Sequence, residues 1–462
     1  MLEGDYEYNS RSIKFRREPF GGLVYNSVKG YTVEINRTAE LFIELLDAGL
    51  TIPAAFGALA SHFQLDVPSI KHDFEPVVQR FAKFEIVVPA AHSTGPAITS
   101  GSARERADQV FSTDFPRQIV KNSLNIPEVL HLAITGSCPL HCPACYVDAG
   151  NPHAEEIKTP DVLRLVDIME ANKIFQLGLG GGEALVHPDL IEIVGHATKK
   201  GITVAITTSG VNLDLDMARK LKDAGIKQIQ VSHDGFSPAV FEQTRSPGSF
   251  KIAKKAIANL KQAGVEFGFN VLLTPAVLRE LPQLVRYAEE VGAVELILLR
   301  PKPSGRDDQK DWFSTNKLTA AHQAGLINFL SHLNTTLRIR TDTSFCMLYH
   351  FMDPGELYLS GVFGCTAARR FCSINADGSM FPCSHFFKYP EYNGGSCMQL
   401  IENWQTAPAF DSFRSIEDHL DEPCRSCQNM PVCKGCRKVA LLESGCFNGV
   451  DPYCIKMERS RK

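Results

Sequence analysis

The chain has 462 residues, with 48 basic against 52 acidic side chains, a net charge of −4, and apolar and charged fractions of 44% and 22%. That balance is ordinary for a globular chain of roughly two to four domains. It gives no positive field for nucleic acid or an anionic membrane surface, and no apolar run approaches the length of a membrane-spanning helix. The N-terminal MLEGDYEYNSRS has no hydrophobic signal core, so a cytoplasmic location is expected. Fourteen cysteines are the departure from the ordinary: three lie at 138–145 and eleven between 346 and 454. In a long chain without a signal peptide such clustering points to metal or cluster ligation rather than to disulfides.

Residues 1–89 read as a small winged-helix-like module. Strands are expected at 14–18, 22–25 and 31–35, with Gly21-Gly22 as a turn or bulge. Asn36 is placed to cap a helix whose apolar positions Ala39, Phe42, Ile43, Leu45 and Leu46 recur at helical spacing. Two further helices, over 53–63 and 69–84, and a closing strand at 85–88 complete the module. The order and the pattern GGLVYN…YTVEINRTAELFIELL resemble the precursor-peptide recognition domains of ribosomal peptide maturases. That resemblance implies capture of a leader peptide by strand addition beside a helix. Residues 90–124, rich in Ala, Ser, Thr, Gly and Pro at their start, read as a linker.

From 125 to 340 strands and helices alternate. Strands are expected at 129–135, 175–180, 202–208, 228–233, 266–273 and 294–300. Helices fill the gaps, at 160–172, 189–200, 213–224, 249–263, 280–291 and 316–335. Six βα units in succession give an α/β fold, a partial TIM-type barrel with chemistry at the C-terminal ends of its strands. Cys138-Pro-Leu-His-Cys142-Pro-Ala-Cys145 follows the first strand, and three thiols hold three irons of a cubane while leaving the fourth open. Strand two runs into Gly180-Gly-Gly-Glu183, strand three into Thr207-Thr-Ser-Gly210, strand four into Ser232-His-Asp-Gly235 and Arg245, and strand six into Arg300-Pro-Lys-Pro-Ser-Gly-Arg306.

The Cys138, Cys142, Cys145 loop and the Gly181-Gly182-Glu183 turn resemble the CxxxCxxC and GGE motifs of radical S-adenosylmethionine enzymes. Ala144 and Ala184 stand where that family often has an aromatic residue and a proline. The resemblance implies an open iron that chelates S-adenosylmethionine, with Gly181, Gly182 and Glu183 at its amino group. One-electron cleavage would give a 5′-deoxyadenosyl radical. Ser232 and Arg245 are the expected ribose and carboxylate contacts, and flavodoxin or ferredoxin is the expected electron donor.

Residues 341–462 lose the βα regularity. Cys365, Cys372, Gly378-Ser-Met-Phe-Pro-Cys383, Cys424-Arg-Ser-Cys427, Cys433-Lys-Gly-Cys436 and Cys454 resemble the SPASM auxiliary-cluster domain of peptide-modifying radical enzymes. By that resemblance two auxiliary [4Fe–4S] clusters are implied: one on Cys365, Cys372, Cys383 and Cys436, the other on Cys424, Cys427, Cys433 and Cys454. Two residues rather than three precede Cys436, which leaves Cys446 as a substitute. Cys346 and Cys397 are unassigned, and no catalytic base is assigned among His350, His385 and Tyr389. The C-terminal spacing most resembles the mycofactocin and pyrroloquinoline-quinone maturase branch. The expected function is radical modification of a ribosomally made precursor peptide: a thioether or carbon–carbon link, a decarboxylation or an epimerisation. Modification of a tetrapyrrole or haem precursor, or a non-catalytic metal-binding scaffold, are the alternatives.

Overall fold

The structure, a computed structural model, describes residues 6–90, 102–112, 122–307, 311–345, 348, 352–359 and 361–454. Its chain divides into two compact units, the first comprising residues 1–119 with 359–361 and the second the remainder. Among the described residues no helix is long and apolar enough to cross a membrane.

In the first unit β1 (Tyr6–Tyr8) precedes the antiparallel meander β2 (Ile13–Glu18), β3 (Gly21–Asn26) and β4 (Tyr31–Asn36). Three helices follow, α1 (Arg37–Asp47), α2 (Ile52–Phe63) and α3 (Val67–Lys83), then β5 (Val87–Pro89), which pairs with β1. Asn36 caps α1 as expected, its side chain accepting from the Ala39 N–H at 2.9 Å. Gly21 and Gly22 lie inside β3 rather than forming a turn. A Cβ on Gly22 would come within 2.3 Å of the Phe15 ring on β2, so the packing of that ring requires the glycine. Stacked Phe42 and Phe56, with Phe74 edge-on, centre the helical core. The stretch expected to be linker holds a helix, α4 (Ala103–Ser112), whose Ala107 is buried in this same core.

The second unit is built on one nine-stranded sheet. Its first strands are β6 (Val129–Thr135), β7 (Gln176–Gly181), β8 (Thr203–Thr208) and β9 (Gln228–Ser232). They continue into β10 (Glu266–Leu272), β11 (Glu295–Leu299) and β12 (Arg338–Thr341), all seven parallel and in sequence order. Beyond β6 the sheet is extended by β13 (Phe371–Ile374), parallel to β6, and antiparallel β14 (Met380–Phe381), so β12 and β14 form its two edges. The cysteine-rich C-terminal segment therefore shares the barrel sheet. Two helix boundaries differ from expectation. The helix before β11 starts at Pro275 under a Thr274 cap and carries Pro282 inside it. The pattern over 316–335 breaks into Asp311–Asn316 and Ala320–Ser331, the second capped by Thr319.

Period-two alternation sorts the strand residues between two faces. Leu130, Leu132, Leu177, Leu179, Val204, Ile206, Ile229, Val231, Phe267 and Phe269 join the helices in one core. The opposite face carries His131, Gly178, Ala205, Thr207, Ser232 and Asn270, small or polar, with Ala205 and Thr207 exposed. This face is an open trough. Its far end is closed by Glu295, which accepts from Gln228 at 2.6 Å and from Arg338 at 2.9 Å. Replacing Phe269, fully buried and 4.8 Å from the His233 ring, with Ala should lower unfolding stability by about 3–5 kcal/mol, read by anaerobic urea denaturation.

Candidate active site

The thiol loop leaves β6 at its C-terminal end and is closed at its base. Gly136 and His153 both donate backbone N–H groups to one Glu156 oxygen, at 2.7 and 2.9 Å, and Cys138 N–H donates to Gly150 O at 2.9 Å. Within the loop Cys145 Sγ accepts from the Ala149 N–H at 3.2 Å. The Cys138 thiol faces those of Cys142 and Cys145 and the Glu183 carboxylate, and burial pushes it up to about 11. Behind the loop, Ser246 Oγ accepts from the His141 N–H at 2.6 Å. Arg245 pairs with Asp234 and turns its charge toward Cys142 and Cys145.

The glycine turn after β7 is stitched onto this loop. Gly182 N–H donates to Thr135 O at 2.7 Å and Glu183 N–H to Ser137 O at 2.9 Å. Gly181 has φ near +100°, and a Cβ on Gly182 would lie 2.2 Å from Ser137 O, so no other residue permits the approach. The Glu183 side chain differs from expectation. One oxygen takes Thr208 Oγ1 at 2.7 Å and the Leu185 N–H at 3.2 Å; the other takes the Ser209 N–H at 2.8 Å and the Ser209 hydroxyl. Burial raises its pKa against these bonds. Its acceptor capacity is used in bracing the next strand end. Ser232 ends β9 on the trough face, opposite Asn270 on β10. Asn270 donates to Thr207 Oγ1 at 3.3 Å, and its own Oδ1 is buried without a partner among the described residues. Thr207, at the strand end already marked in the sequence, and Asn270, which no local motif marks, thus both face the trough.

The C-terminal thiols form two sets. Cys383 faces Cys365 and Cys436, and burial pushes it up to about 12. Cys424 faces Cys454, Cys433 and Cys427, and is likewise pushed up to about 12 by burial. Cys436 keeps its expected place despite the shortened spacing, while Cys446 is exposed with Sγ 3.7 Å from Asp421. Cys372 does not join Cys365, Cys383 and Cys436. It lies on β13 in register with Leu130, so its side chain points into the core rather than the trough. There it is 0% exposed, contacts Phe381 O at 3.5 Å and faces the buried Cys397. Cys346 and His350 fall outside the described residues. His385 is half-buried with Nδ1 2.7 Å from Ser304 Oγ, and the Tyr389 ring lies under the Lys438 ammonium at 3.4 Å, so both have structural partners.

Buried cations accompany every set. Lys302 and Arg300 face Cys436, with Lys302 held by Asp342 at 2.6 Å. Arg300 forms a buried pair with Asp451 at 2.8 Å, and Asp451 also accepts from the Cys436 N–H at 3.0 Å. Lys434, buried and pushed down to about 8 chiefly by desolvation, faces Cys365; Arg437 faces Cys424. Buried cations favour an anionic partner, and thiolates on an iron–sulfur cluster are such a partner. The donor chemistry fits the group. Arg306 ties the parts together, donating to Cys142 O at 2.7 Å and to Asp148 at 3.0 Å, while Lys388 holds the other Asp148 oxygen at 2.9 Å.

Three substitutions test this arrangement. Gly182→Ala should weaken S-adenosylmethionine binding at least about tenfold, the equivalent of 1.4 kcal/mol, in equilibrium dialysis while leaving iron content unchanged. Cys372→Ala should leave iron and sulfide per chain unchanged, whereas Cys383→Ala should remove about four irons, measured on anaerobically reconstituted protein.

Residues 132–313 match the model of the Radical SAM superfamily, and residues 365–428 match the iron–sulfur cluster-binding domain named SPASM. Mycofactocin maturase MftC of Mycobacterium ulcerans is 29% identical over 75% of this chain and 93% of its own. The AdoMet-dependent heme synthase of Methanosarcina barkeri is 26% identical over 72% of this chain and 97% of its own. The fold matches that of SuiB from Streptococcus suis, solved bound to precursor peptide SuiA, with a TM-score of 0.70 at 16% identity over 97% of this chain and 99% of SuiB. The thiol loop and the glycine turn stitched to it lie in the first matched segment, and Cys365, Cys383, Cys424 and Cys427 lie in the second. This chain is a radical SAM enzyme that uses S-adenosylmethionine and [4Fe–4S] clusters, its barrel carrying the radical SAM domain and its C-terminal segment a SPASM iron–sulfur cluster-binding domain.

Proposed function

We propose that the enzyme matures a ribosomally made precursor peptide, abstracting a hydrogen atom from one residue and installing a crosslink or related modification. The observation that carries this reading is the fold match to SuiB along 97% of the chain, which takes in the N-terminal unit. The match to the heme synthase covers 72% of the chain. In this reading the leader adds a strand to an open edge of the β2–β3–β4 meander, whose terminal strands β2 and β4 each have one unpaired side within that sheet.

Cys138, Cys142 and Cys145 hold the radical cluster. Cys365, Cys383 and Cys436 hold one auxiliary cluster, and Cys424, Cys427, Cys433 and Cys454 the other. S-adenosylmethionine bound at the first supplies a strong hydrogen-atom abstractor. The chain's own contributions are concrete. The Gly181–Glu183 turn is held against the thiol loop, where it would flank the cofactor, and Glu183 holds Thr208 and Ser209 in place. The small side chains of the trough leave room for a substrate residue, and Lys302, Arg300 and Lys434 balance the thiolate charge. The enzyme works in the cytoplasm, reduced by a flavodoxin- or ferredoxin-type donor.

The second reading, action on a tetrapyrrole or haem precursor, rests on the 26% identity to the heme synthase. Anaerobic co-expression with short peptides from neighbouring reading frames, followed by mass spectrometry, separates the two. A peptide whose mass shifts only with the intact enzyme supports maturation. Unchanged peptides alongside turnover of a porphyrin precursor would overturn it. Cys142→Ala should abolish 5′-deoxyadenosine formation and leave peptide affinity unchanged in fluorescence anisotropy.

A further inference from the structure

The β12 edge of the trough carries two cations on one face. Ile339 packs against the helix-side core, so Arg338 and Arg340 project from the trough face. Their register partners on β11 are Glu295 and Ile297. Glu295 is the carboxylate that both guanidinia share, and it is already engaged. One oxygen takes the side-chain amides of Gln228 and Gln230, at 2.6 and 2.5 Å, and the other takes Arg338 Nε at 2.9 Å. Arg340 comes no closer to it than 3.8 Å and makes no hydrogen bond through its side chain among the described residues. The next carboxylate along this face, Asp342, is held by Lys302. One carboxylate therefore serves two guanidinia, which leaves an excess positive charge. Glu295 has a side chain 3% exposed, against 44% for Arg338 and 51% for Arg340, so it is the cations that reach solvent.

The position of Arg340 is informative. Ser232 on β9, Asn270 on β10, Ile297 on β11 and Arg340 on β12 form one row across the sheet. Arg340 thus stands at the level of the strand ends that carry the site, three strands or about 14 Å along the sheet from Ser232. The face between them is open, with Ala205 and Thr207 exposed on it. Beside Arg340 the aliphatic side chains of Leu272, Ile297 and Leu299 are only half-buried and belong to neither packed core. Charges on an edge strand deter pairing with other chains, but that purpose does not call for two of them on the inner face beside an unpacked aliphatic wall. A substrate segment laid on that wall expels water from around the guanidinium. A carboxylate paired there is then worth more than a pair in open solvent, and the planar fork of an arginine matches it with two parallel hydrogen bonds.

We propose that Arg340, with Arg338 beside it, is the subsite for a carboxylate of the substrate peptide, either an Asp or Glu side chain or the C-terminal carboxylate. Arg340 donates to that carboxylate, and the aliphatic wall receives the apolar part of the same segment. The subsite rests on the peptide-maturase reading and specifies the charge of the segment that the barrel holds. Both arginines set specificity: they select and place the peptide and take no part in breaking its C–H bond.

The test uses holoenzyme and the peptide found by the co-expression experiment. Arg340→Gln and Arg340→Lys are compared with the unsubstituted enzyme on that peptide, on versions with each Asp or Glu changed to its amide, and on a version with an amidated C-terminus. Arg340→Gln should raise the peptide KM by about five- to twentyfold, between the effects of an exposed and a buried charged pair. Arg340→Lys, which keeps the charge and loses the fork, should recover part of that loss. Iron content and S-adenosylmethionine affinity should be unchanged in both. One neutralised peptide should show the same rise in KM with the unsubstituted enzyme and less than a twofold further rise with Arg340→Gln. A side-chain amide in that place identifies an acidic residue, and the amidated C-terminus identifies the terminal carboxylate. An unchanged KM in Arg340→Gln would overturn the subsite. So would a loss that adds in full to every peptide change, which marks a role in the sheet edge rather than in recognition. Should Arg340→Gln fail to fold, Arg340→Lys with the same peptides decides, since its loss should vanish on the one peptide that lacks the recognised carboxylate. Absence of any modified peptide with the unsubstituted enzyme would instead sink the maturase reading, whereas modified peptide with no coupling to Arg340 overturns the subsite alone.

Discussion

Two backbone hydrogen bonds hold the active end of this enzyme together: Gly182 to Thr135 and Glu183 to Ser137. They join two loops from adjacent parallel strands at the one end of the sheet where all the strand termini converge. Because the contact is backbone to backbone, its geometry does not depend on a flexible side chain, and the missing Cβ of Gly182 is what lets it close. Further elements brace outward from there. Glu183 locks the end of β8, Glu156 closes the base of the thiol loop, and Ser246 supports it from behind. A site meant to hold a reactive species must leave it little freedom to strike the wrong atom, and a rigid seam of this kind serves that need.

The cysteine-rich segment is part of the same construction. β13 lies directly against β6, and the Arg306–Asp148–Lys388 bonds join the thiol loop to residues just past Cys383. Buried lysines and arginines then face the auxiliary thiols. Burying an ammonium is costly, and desolvation lowers the pKa of Lys434 even though Glu417 lies 3.2 Å away; a further anionic centre beside it offsets that cost. The cations and the thiols are complementary halves of one charge arrangement.

Much of this was legible in the chain itself. The strands of the barrel alternate or run apolar, and the cap at Asn36 is an ordinary Asn before a helical pattern. What could not be read has physical causes. Thiol spacing counts cysteines along the chain but carries no information on strand parity, so Cys372 looked like a ligand until its register with Leu130 turned it toward the core. Glu183 has the charge for an amine, and only tertiary structure reveals four donors already on it. The cations near Cys436 come from Arg300 and Lys302, more than a hundred residues earlier. The helix at Ala103–Ser112 sits in polar sequence with a single buried side chain, Ala107, too little periodicity to read.

The pairing of β6 with β13 also governs how the protein comes into being. β6 carries the radical-cluster loop at its end, yet one of its two neighbours is synthesised more than two hundred residues later. During translation the strand has β7 on one flank and an open edge on the other. Closing that edge requires a long loop to be drawn in, which makes it a late event. A chain cut before β13 would leave that edge of β6 unpaired directly below the thiol loop.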